Sequence, residues 1–514
     1  MIKFINVKLL LKLILFYILW LLLIFPLWVN SKFGNISLEQ FNFHLSLVYF
    51  DIIGGDSRII QSSIKWFFVI PTILSILFVY LQSALTGNFK KNSKKINYFF
   101  KLSSNLVIFL FNKFNTRFIK FFLKLYITIL IFFVLIIILF FDNTLFFNKT
   151  IKIKNSSDFF EKSYVEPNIS VDKNKLKNTI IIYLESFEKT FSNPKFSNKK
   201  LLSKINANNT YQSINNYKQI PGFGWTIGSL VATQCGIPLL DLGFFSGNNW
   251  YEAKKFLPNI KCLSDITYKN DFNNIFITSD DIETAGTNIF LANHNYNEIY
   301  DLNYFSNNDY KLSKNAYYNK NKFKGGIHDS TIFEFIIKKI ENLDLSKKHL
   351  ITAFTLDTHA VDGYPSISCL KKIKDKKDLN NYIYQNTVKC TAEALAKFIE
   401  IFHKKNLHKN FNLILIGDHL SMRNYNKEKI KESERSIFNQ FYLIKKQKIL
   451  KSEMIFFDLY PSLVEILGFH IEDSLNRVAF GYSIFDANPN PLPFNTNYKS
   501  FKKSKKYLSF WGIE

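Results

Sequence analysis

Two apolar stretches in the second half of the chain are each followed by residues that can bind a metal ion. Glu185 comes directly after residues 179–184, and Asp418 and His419 follow residues 413–416 after one glycine. Carboxylate oxygens and imidazole nitrogens are common ligands of divalent metals. Each has a simpler structural explanation, with Glu185 as an acid that starts a helix and Asp418–His419 as a hydrogen-bonding pair. Their positions after predicted strands favour the metal site.

A glycine-bearing turn at 221–230 leads into an apolar helical pattern and places Thr226 where that helix begins. The unpaired N–H groups and the dipole at a helix start favour an alkoxide or a phosphate. A nearby metal ion lowers the pKa of a hydroxyl further. Thr226 is therefore a candidate nucleophile, and the alternative is that it serves only as the N-cap of the helix.

Three further side chains are candidates for binding substrate. His359 can donate a hydrogen bond to a phosphoryl oxygen, and Asp280 follows the apolar residues 275–277. Arg423 comes shortly after the Asp-His turn and can hold an anionic or hydroxylated headgroup. The alternatives are a structural histidine at 359 and a solvated turn at 423.

The elements that position these residues are predicted from short apolar runs at 179–184, 275–277, 351–356 and 413–416. Unbroken apolar, β-branched runs are typical of strands buried on both faces. Helical patterns at 330–343 and 386–402 lie between them, and this alternation predicts an α/β fold with a mostly parallel sheet. Ligands of such sheets bind beyond the carboxyl ends of the strands. The candidate residues should therefore meet at one edge.

The amino-terminal region predicts three transmembrane helices, at about 9–29, 66–86 and 121–141, because each segment has close to the 20 apolar residues that cross a bilayer. For the first segment, a cleaved signal peptide is the alternative. The connection 87–120 carries many lysines and no acid, so it is predicted to be cytoplasmic. Everything after residue 141 is then predicted to lie outside the membrane.

These signals divide the chain into four predicted parts. Residues 1–141 form the membrane domain, and the polar residues 142–177 form a linker. The catalytic domain spans 178–485, and 486–514 form a tail with prolines and asparagines at its start.

The chain has a net charge of +25, which raises the question of a nucleic-acid partner. No recognisable binding module or basic aromatic stripe accompanies the charge, and heavy use of Lys, Asn, Ile and Phe indicates a compositional bias. We therefore expect no nucleic-acid partner. A basic outer surface near anionic lipid headgroups fits the charge better.

The chain has four cysteines, and all of them lie in the part predicted to be outside, where disulfides can form. Four cysteines allow three pairings. The two local pairings, Cys235 with Cys262 and Cys369 with Cys390, close loops of moderate length. Four buried free thiols are the alternative, and the absence of CxxC spacing disfavours a zinc–cysteine site.

Taken together, the motifs resemble those of membrane phosphoglycerol transferases that decorate osmoregulated periplasmic glucans. These enzymes group with lipoteichoic acid synthases and phosphoethanolamine transferases in the alkaline phosphatase and sulfatase superfamily. The resemblance covers about 178–484. It rests on Ile-Tyr-Leu-Glu-Ser at 182–186, Gly-Trp-Thr at 224–226 with its extension at 231–238, Leu-Asp-Thr-His at 356–359 with 362–364, and Gly-Asp-His-Leu at 417–420.

The resemblance implies a two-step transfer by a domain with a mixed, mostly parallel sheet flanked by helices. Thr226 would attack the phosphorus of phosphatidylglycerol, release diacylglycerol and carry the phosphoglycerol group to a glucan hydroxyl. One divalent ion, manganese ahead of magnesium or zinc, would be held by Glu185, Thr226, Asp418 and His419. His359 would line the phosphoryl pocket. The expected location is the bacterial inner membrane, with several spans and the catalytic domain in the periplasm.

Departures from related groups leave alternatives open. Residues 283–288 lack the Trp and Arg that follow the third-strand acid in lipoteichoic acid synthases, so a polyglycerolphosphate polymerase is disfavoured. A phosphoethanolamine transferase acting on a lipid or polysaccharide is one alternative function. A non-catalytic, membrane-tethered glycan-binding module is the other.

Overall fold

The computed structural model describes part of the 514-residue chain and divides it into two compact units. One unit comprises 1–35 with 55–149, and the other comprises 36–54 with 150–514. The described residues are 7–33, 62–85, 158–196, 201–207, 211–220, 223–240, 255–308, 326–359, 363–372, 383–421, 430–473, 476–487, 501 and 503–512.

In the first unit, α1 (Val7–Phe33) packs against α2 (Ile70–Leu85) and the π-helical turn Lys65–Val69 that leads into α2. Pro71 has no N–H to donate to the carbonyl of Phe67 one turn earlier. The hydroxyl of Tyr17 donates to that carbonyl instead, at 2.8 Å. This bond gives the Tyr17 hydroxyl a partner within an apolar stretch of α1.

Among the described residues, one helical segment is long and apolar enough to cross a bilayer, Ser62–Val79. A shorter apolar stretch, Leu10–Phe25, lies within α1. Both overlap predicted spans. The third predicted span, 121–141, and the connection 87–120 lie outside the described residues.

The second unit is built on a six-stranded sheet with the order β5-β4-β6-β2-β7-β8. The first five strands in this order run parallel and β8 is antiparallel to β7. This is the mixed, mostly parallel sheet that the sequence predicts. Its strands are β2 (Asn178–Leu184), β4 (Phe272–Thr278), β5 (Glu298–Tyr300), β6 (Lys348–Phe354), β7 (Phe411–Gly417) and β8 (Asn439–Tyr442).

Both faces of the sheet are covered, which explains the unbroken apolar runs. Ile181 and Tyr183 of β2 point into a first core, whereas Ile180, Ile182 and Leu184 point into a second core. Helices cover each face. The first core includes residues of α5 (Thr226–Gln234), α6 (Leu263–Tyr268), α7 (Thr287–Asn293) and α12 (Leu459–Ile466), and the second includes residues of α8 (Leu302–Asn307), α9 (Asp329–Glu341) and α11 (Ile383–Lys404).

The packed unit includes buried residues on both sides of the predicted catalytic domain, 178–485. Phe160 of α3 (Asp158–Ser163) is fully buried, within the predicted linker. At the other end, Phe501 and Tyr507 are also fully buried, and the rings of Phe160 and Phe501 meet edge to face. These aromatic residues lie in polar segments without an apolar periodicity, so only packing reveals that they are buried.

Short elements complete the described part of this unit. The remaining strands are β1 (Ile169–Val171), β3 (Asn216–Lys218), β9 (Glu453–Ile455), β10 (Phe469–Ile471), β11 (Arg477–Val478) and β12 (Gly481–Tyr482), which pair as β1–β10, β3–β9 and β11–β12. The remaining α-helices are α4 (Ser203–Asn206), α10 (Ile367–Lys372) and α13 (Lys505–Phe510). The 3-10 turns are Lys173–Lys175, Lys189–Ser192, Thr284–Gly286, Leu407–Lys409, Glu432–Glu434 and Phe456–Asp458.

Candidate active site

The structure brings Glu185, Thr226, Asp418 and His419 together at the carboxyl edge of the sheet. The Thr226 hydroxyl donates to Asp418 Oδ2 at 3.1 Å and lies 3.4 Å from Glu185 Oε2. The Nε2 atom of His419 lies 3.4 Å from Asp418 Oδ2 and 3.7 Å from Glu185 Oε1. These four residues are separated by as many as 234 positions in the sequence, and the sheet makes them neighbours.

The register of two parallel strands places the two carboxylates side by side. Leu184 of β2 is paired with Gly417 of β7, so Glu185 and Asp418 leave the sheet at the same level. A side chain at Gly417 would put its Cβ 2.0 Å from the carbonyl oxygen of Phe187. This close approach requires the glycine that precedes Asp418.

Ser186 helps to hold both carboxylates. Its backbone N–H donates to Asp418 Oδ1 at 2.7 Å, and its hydroxyl donates to Glu185 Oε1 at 2.7 Å. The backbone of Ser186 has a φ of 50°, a left-handed conformation that costs about 1 kcal/mol for a residue other than glycine. Strained backbone of this kind is typical of functional sites.

The imidazole of His419 is oriented by its own loop. Its Nδ1–H donates to the carbonyl of Leu420 at 2.9 Å, and the N–H of Leu420 donates to Gln219 Oε1 at 2.7 Å. The bond at Nδ1 leaves the lone pair on Nε2, which is the atom that faces the carboxylates. In this tautomer the Nε2 atom of His419 can serve as a metal ligand.

Thr226 is the first residue of α5, and its side chain is exposed while the rest of the helix is buried. The N-cap of this helix is Trp225, without a side-chain capping bond. The alternative interpretation of Thr226 as an N-cap is therefore wrong. A Cβ at Gly228 would collide with the Trp225 indole, so that glycine allows the ring to lie against the helix.

The far end of α5 is firmly anchored. The hydroxyls of Thr233 and Tyr183 are 2.8 Å apart, which ties the helix to β2. The next residue after the helix, Cys235, forms a disulfide with Cys262, and Cys369 and Cys390 form a second. Anchoring of this kind keeps the exposed Thr226 in a defined position.

The electrostatics of the cluster suit a divalent cation. Burial and then the charge of Glu185 raise the pKa of Asp418 to about 7. For His419 burial acts to lower the pKa, but the charges of Asp418 and Glu185 outweigh it and the pKa is raised. Ligand atoms of Glu185, Asp418 and His419 lie within 4.8 Å of one another. Two buried carboxylates, an imidazole and a hydroxyl form a donor set that fits one divalent ion.

A second group of possible ligands does not fit a metal. Cys262, Asp265 and His294 also lie close together. The sulfur of Cys262 is in the disulfide with Cys235, and Asp265 Oδ2 accepts the N–H of Cys262 and bonds to His294 Nδ1. This group holds α6 and α7 together.

Asp280 and His359 lie on the same edge, after β4 and β6. Burial raises the pKa of Asp280, and the nearby charges of His359 and Glu185 act on it in opposite directions. Asp280 is therefore within electrostatic range of both residues. Arg423 lies outside the described residues.

Two pairs at this edge were not predicted from the sequence. Glu188 forms a buried ion pair with Arg435, and His328 Nδ1 bonds to Asp357 Oδ1 at 2.8 Å. Asp357 could have been found from the sequence, because it directly follows an apolar run. Glu188, Arg435 and His328 have no such sequence signal, because each is recognised only through a partner far away in the chain.

A comparison with protein families assigns the part of the chain that contains this site to one family. The family model described as Sulfatase matches residues 177–448, which is more than half of the chain. The chain belongs to the sulfatase family. This sulfatase-family domain contains all four clustered residues.

Named relatives of this sulfatase-family protein agree with the resemblance seen in its motifs. Phosphoglycerol transferase I of Salmonella typhi is 29% identical over 324 residues, which are 62% of this chain and 40% of that protein. Phosphoglycerol transferase I of Shigella flexneri is 29% identical over 316 residues, 60% of this chain and 39% of that protein. The chain thus matches about two fifths of the length of these relatives.

Among solved structures, the protein is similar to the lipoteichoic acid synthase LtaP from Listeria monocytogenes. The sequences are 15% identical, with a TM-score of 0.48, over 62% of this chain and 79% of that one.

Proposed function

We propose that this protein transfers phosphoglycerol from phosphatidylglycerol to a hydroxyl of a periplasmic glucan or related glycan, with Thr226 as the nucleophile. The observation that carries the proposal is the position of the Thr226 hydroxyl, at a helix start and 3.1 Å from the buried carboxylate of Asp418. A hydroxyl in that position has both a proton acceptor and a field that favours its alkoxide. Relatives named phosphoglycerol transferase I support phosphoglycerol as the group that is transferred.

The transfer has two steps, and the residues at the strand ends serve both. Thr226 Oγ1 attacks the phosphorus of the donor lipid as the bond to the diacylglycerol oxygen breaks. The phosphoglycerol group then rests on Thr226 until a glycan hydroxyl displaces it. Ser186 and the Leu420 carbonyl keep Asp418, Glu185 and His419 in place throughout, so little reorganisation is needed in either step.

Glu185, Thr226, Asp418 and His419 would hold one divalent ion, with manganese ahead of magnesium or zinc. When bound, the ion supplies positive charge that lowers the pKa of the Thr226 hydroxyl and neutralises charge on the phosphoryl oxygens. The protein contributes the rigid donor set. Its two carboxylates are almost completely buried, so water competes weakly for the ion.

We assign His359, Asp280 and Arg423 to the substrate side of the site. His359 would donate to a phosphoryl oxygen, and Asp280 would accept a hydrogen bond from a glycerol hydroxyl. Arg423 would contact the anionic headgroup. The location of Asp280 within range of both Glu185 and His359 supports this arrangement.

The proposed setting is the bacterial inner membrane. Several spans near the amino terminus would anchor the protein, and the catalytic unit would lie in the periplasm, where donor lipid and glycan are both accessible. The apolar helix at Ser62–Val79 and the two disulfides support this setting.

A mass-spectrometric experiment tests the function. The full chain is purified in detergent with manganese and incubated separately with phosphatidylglycerol and phosphatidylethanolamine, each labelled in the headgroup. The expected result is an adduct of phosphoglycerol mass on the peptide that contains Thr226, formed only with phosphatidylglycerol. An adduct formed only with phosphatidylethanolamine would assign the alternative phosphoethanolamine transfer, and release of the headgroup without any adduct would contradict the nucleophile.

A further inference from the structure

A second Asp-His pair lies at the same edge of the sheet as Glu185, Thr226, Asp418 and His419, which together are called the Thr226 cluster. His328 precedes α9, and Asp357 follows β6. The imidazole Nδ1 of His328 lies 2.8 Å from Asp357 Oδ1. Both side chains are mostly buried, with 13% of His328 and 11% of Asp357 exposed.

The pair adjoins the cluster through the backbone of Glu185. The N–H of Glu185 donates to the hydroxyl of Thr355, and the Thr358 hydroxyl donates to the carbonyl of Glu185. These two threonines flank Asp357. The loop that carries the Asp-His pair is therefore hydrogen-bonded directly to a residue of the Thr226 cluster.

Buried polar contacts fix the pair rigidly. Asp329 Oδ1 accepts the N–H groups of Leu356 and Asp357 at 2.8 and 3.0 Å, and its Oδ2 accepts the Thr391 hydroxyl at 3.1 Å. The N–H of Ile327, next to His328, donates to the carbonyl of Ser279 at 2.9 Å. Contacts from β4, β6 and α11 thus hold the imidazole and its partner.

The hydrogen bond to Asp357 presents one nitrogen of His328 for proton transfer. Because the Asp357 carboxylate accepts a hydrogen bond from Nδ1–H, the lone pair of the neutral ring is on Nε2. Within the part of the chain that the structure describes, Nε2 has no hydrogen-bond partner. Burial acts to lower the pKa of His328, but the charge of Asp357 and its hydrogen bond outweigh burial, and the pKa is raised. The Asp357 carboxylate therefore stabilises the protonated ring, and Nε2 is the atom through which a proton can be given or taken.

Thr226 and His328 reach the edge from opposite faces of the sheet. Thr226 begins α5, which packs in the first core, and His328 precedes α9, which packs in the second. In phosphoryl transfer the attacking and leaving oxygens lie roughly in line on opposite sides of phosphorus. The diacylglycerol oxygen therefore leaves, and the acceptor oxygen later arrives, on the side away from Thr226. A phosphorus atom bound with its leaving side towards the second core would present that oxygen to His328.

We propose that His328 transfers protons to and from two alcohols, the diacylglycerol that leaves the phosphorus and the glycan hydroxyl that later attacks it. This inference rests on the proposed function. In the first step the Thr226 hydroxyl gives its proton to Asp418 and its Oγ1 bonds to phosphorus. The bond to the diacylglycerol oxygen breaks, and protonated His328 gives its Nε2 proton to that oxygen. In the second step neutral His328 takes the proton of the acceptor hydroxyl as its oxygen bonds to phosphorus. The electrons of the broken bond return to Thr226 Oγ1, which takes its proton back from Asp418. His328 is then protonated for the next cycle, with Asp357 as its positioning residue.

Two donors with different leaving groups test the proposal on the full chain in detergent. Phosphatidylglycerol releases an alcohol that needs a proton, whereas the p-nitrophenyl ester of glycerol phosphate releases a phenolate that needs none. For His328→Gln we expect transfer from the lipid to fall about 100- to 10,000-fold, the usual contribution of a general acid–base group. With the nitrophenyl donor the burst of nitrophenolate should stay as in the wild type, and the phosphoglycerol adduct should accumulate on Thr226 because the second step lacks its base.

The matched control is His470→Gln, which changes an exposed histidine on β10 and should leave both donors unaffected. An equal loss with both donors would show that His328 is only structural, and no loss with either would show that it has no role. The donor-dependent pattern in His359→Gln, but not in His328→Gln, would assign the role to His359. Absence of any Thr226 adduct in the wild type would instead overturn the proposed function itself.

Discussion

Arg435 binds Glu188 through two guanidinium nitrogens in the interior of the protein, beside the loop that carries Asp418 and His419. The Nε atom donates to Glu188 Oε2 at 3.1 Å, and a terminal nitrogen donates to both Glu188 Oε1 and the carbonyl of Ser421. The N–H of Ser421 donates to Glu188 Oε1 at 3.0 Å. The ion pair therefore secures the chain two residues after His419.

Breaking this pair should destabilise the protein strongly. Glu188→Gln leaves the guanidinium of Arg435 buried without its counter-charge, and we expect a loss of about 3 to 5 kcal/mol in the free energy of unfolding. Replacing both residues by Leu and Met should recover most of that loss, since an apolar pair avoids the burial of charge. Thermal unfolding in detergent measures both effects.

The double variant also separates stability from function. Because it lacks the bonds to Ser421, we expect weaker manganese binding and slower transfer even where its unfolding temperature is restored. Full transfer by the apolar pair would contradict a positioning role for Glu188 and Arg435.

Thr226→Val should abolish headgroup transfer, since it keeps the shape of the side chain and removes the hydroxyl. Thr226→Ser retains a hydroxyl within reach of Asp418, so it should keep part of the activity. The side chain is exposed, so neither change should alter the unfolding temperature of the protein measured with a chelator. Release of labelled headgroup measures the activity, and retained transfer by the valine variant would rule out Thr226 as nucleophile.

Manganese should stabilise the folded protein through Glu185, Asp418 and His419. At a free concentration of 100 times Kd, binding adds about 2.7 kcal/mol to the free energy of unfolding, and a chelator removes it. Glu185→Gln and Asp418→Asn should lose this response, whereas Glu472→Gln, on an exposed position, should keep it.

The manganese response should also depend on pH. The pKa of Asp418 is raised to about 7, so below that pH the carboxyl holds a proton that the ion must displace. The metal-dependent rise in unfolding temperature should therefore shrink between pH 8 and pH 6. A response that is constant over this range would contradict the raised pKa.

Asp329 should make the stability of the protein fall as pH rises. Burial and then the charge of Asp357 raise its pKa from 3.8 to about 8 in the folded state. Because the folded pKa is above the unfolded one, this contribution is complete below about pH 4 and is lost as pH rises towards 8. Asp329→Asn does not titrate, so its unfolding temperature should improve relative to wild type from pH 5 to pH 9.

A third variant separates charge from hydrogen bonding at this position. Asp329→Ala removes the acceptor of the Leu356, Asp357 and Thr391 donors and should cost about 3 kcal/mol at every pH. A pH-independent difference between wild type and Asp329→Asn would show that Asp329 stays charged in the folded protein.

Each disulfide should stabilise the fold by about 3 to 4 kcal/mol, because the bonds close loops of 27 and 21 residues. Replacing Cys235 and Cys262 together by Ala should also slow transfer, since that bond anchors the helix that begins at Thr226. Replacing Cys369 and Cys390 is the matched comparison. Equal transfer rates in the two double variants would show that the first disulfide acts on stability alone.

Much of the architecture was predictable because burial leaves a local signature in the sequence. Strands buried on both faces appear as unbroken apolar runs, and the parallel arrangement brings the residues after those runs to one edge. Glu185, Asp418 and His419 could therefore be named before the structure was known. The glycine turn and apolar helix likewise placed Thr226 at a helix start, although the structure shows Trp225 rather than Thr226 as its N-cap.

Only the tertiary structure decided which distant side chains touch. Glu188 and Arg435 are 247 positions apart, and His328 meets Asp357 because α9 packs on one particular face of the sheet. The ends of the packed unit were also hidden, since Phe160 and Phe501 lie in polar segments without an apolar periodicity. Periodicity reports which face of an element is buried, but it carries no information about which element covers that face. That choice depends on the packing of the whole chain.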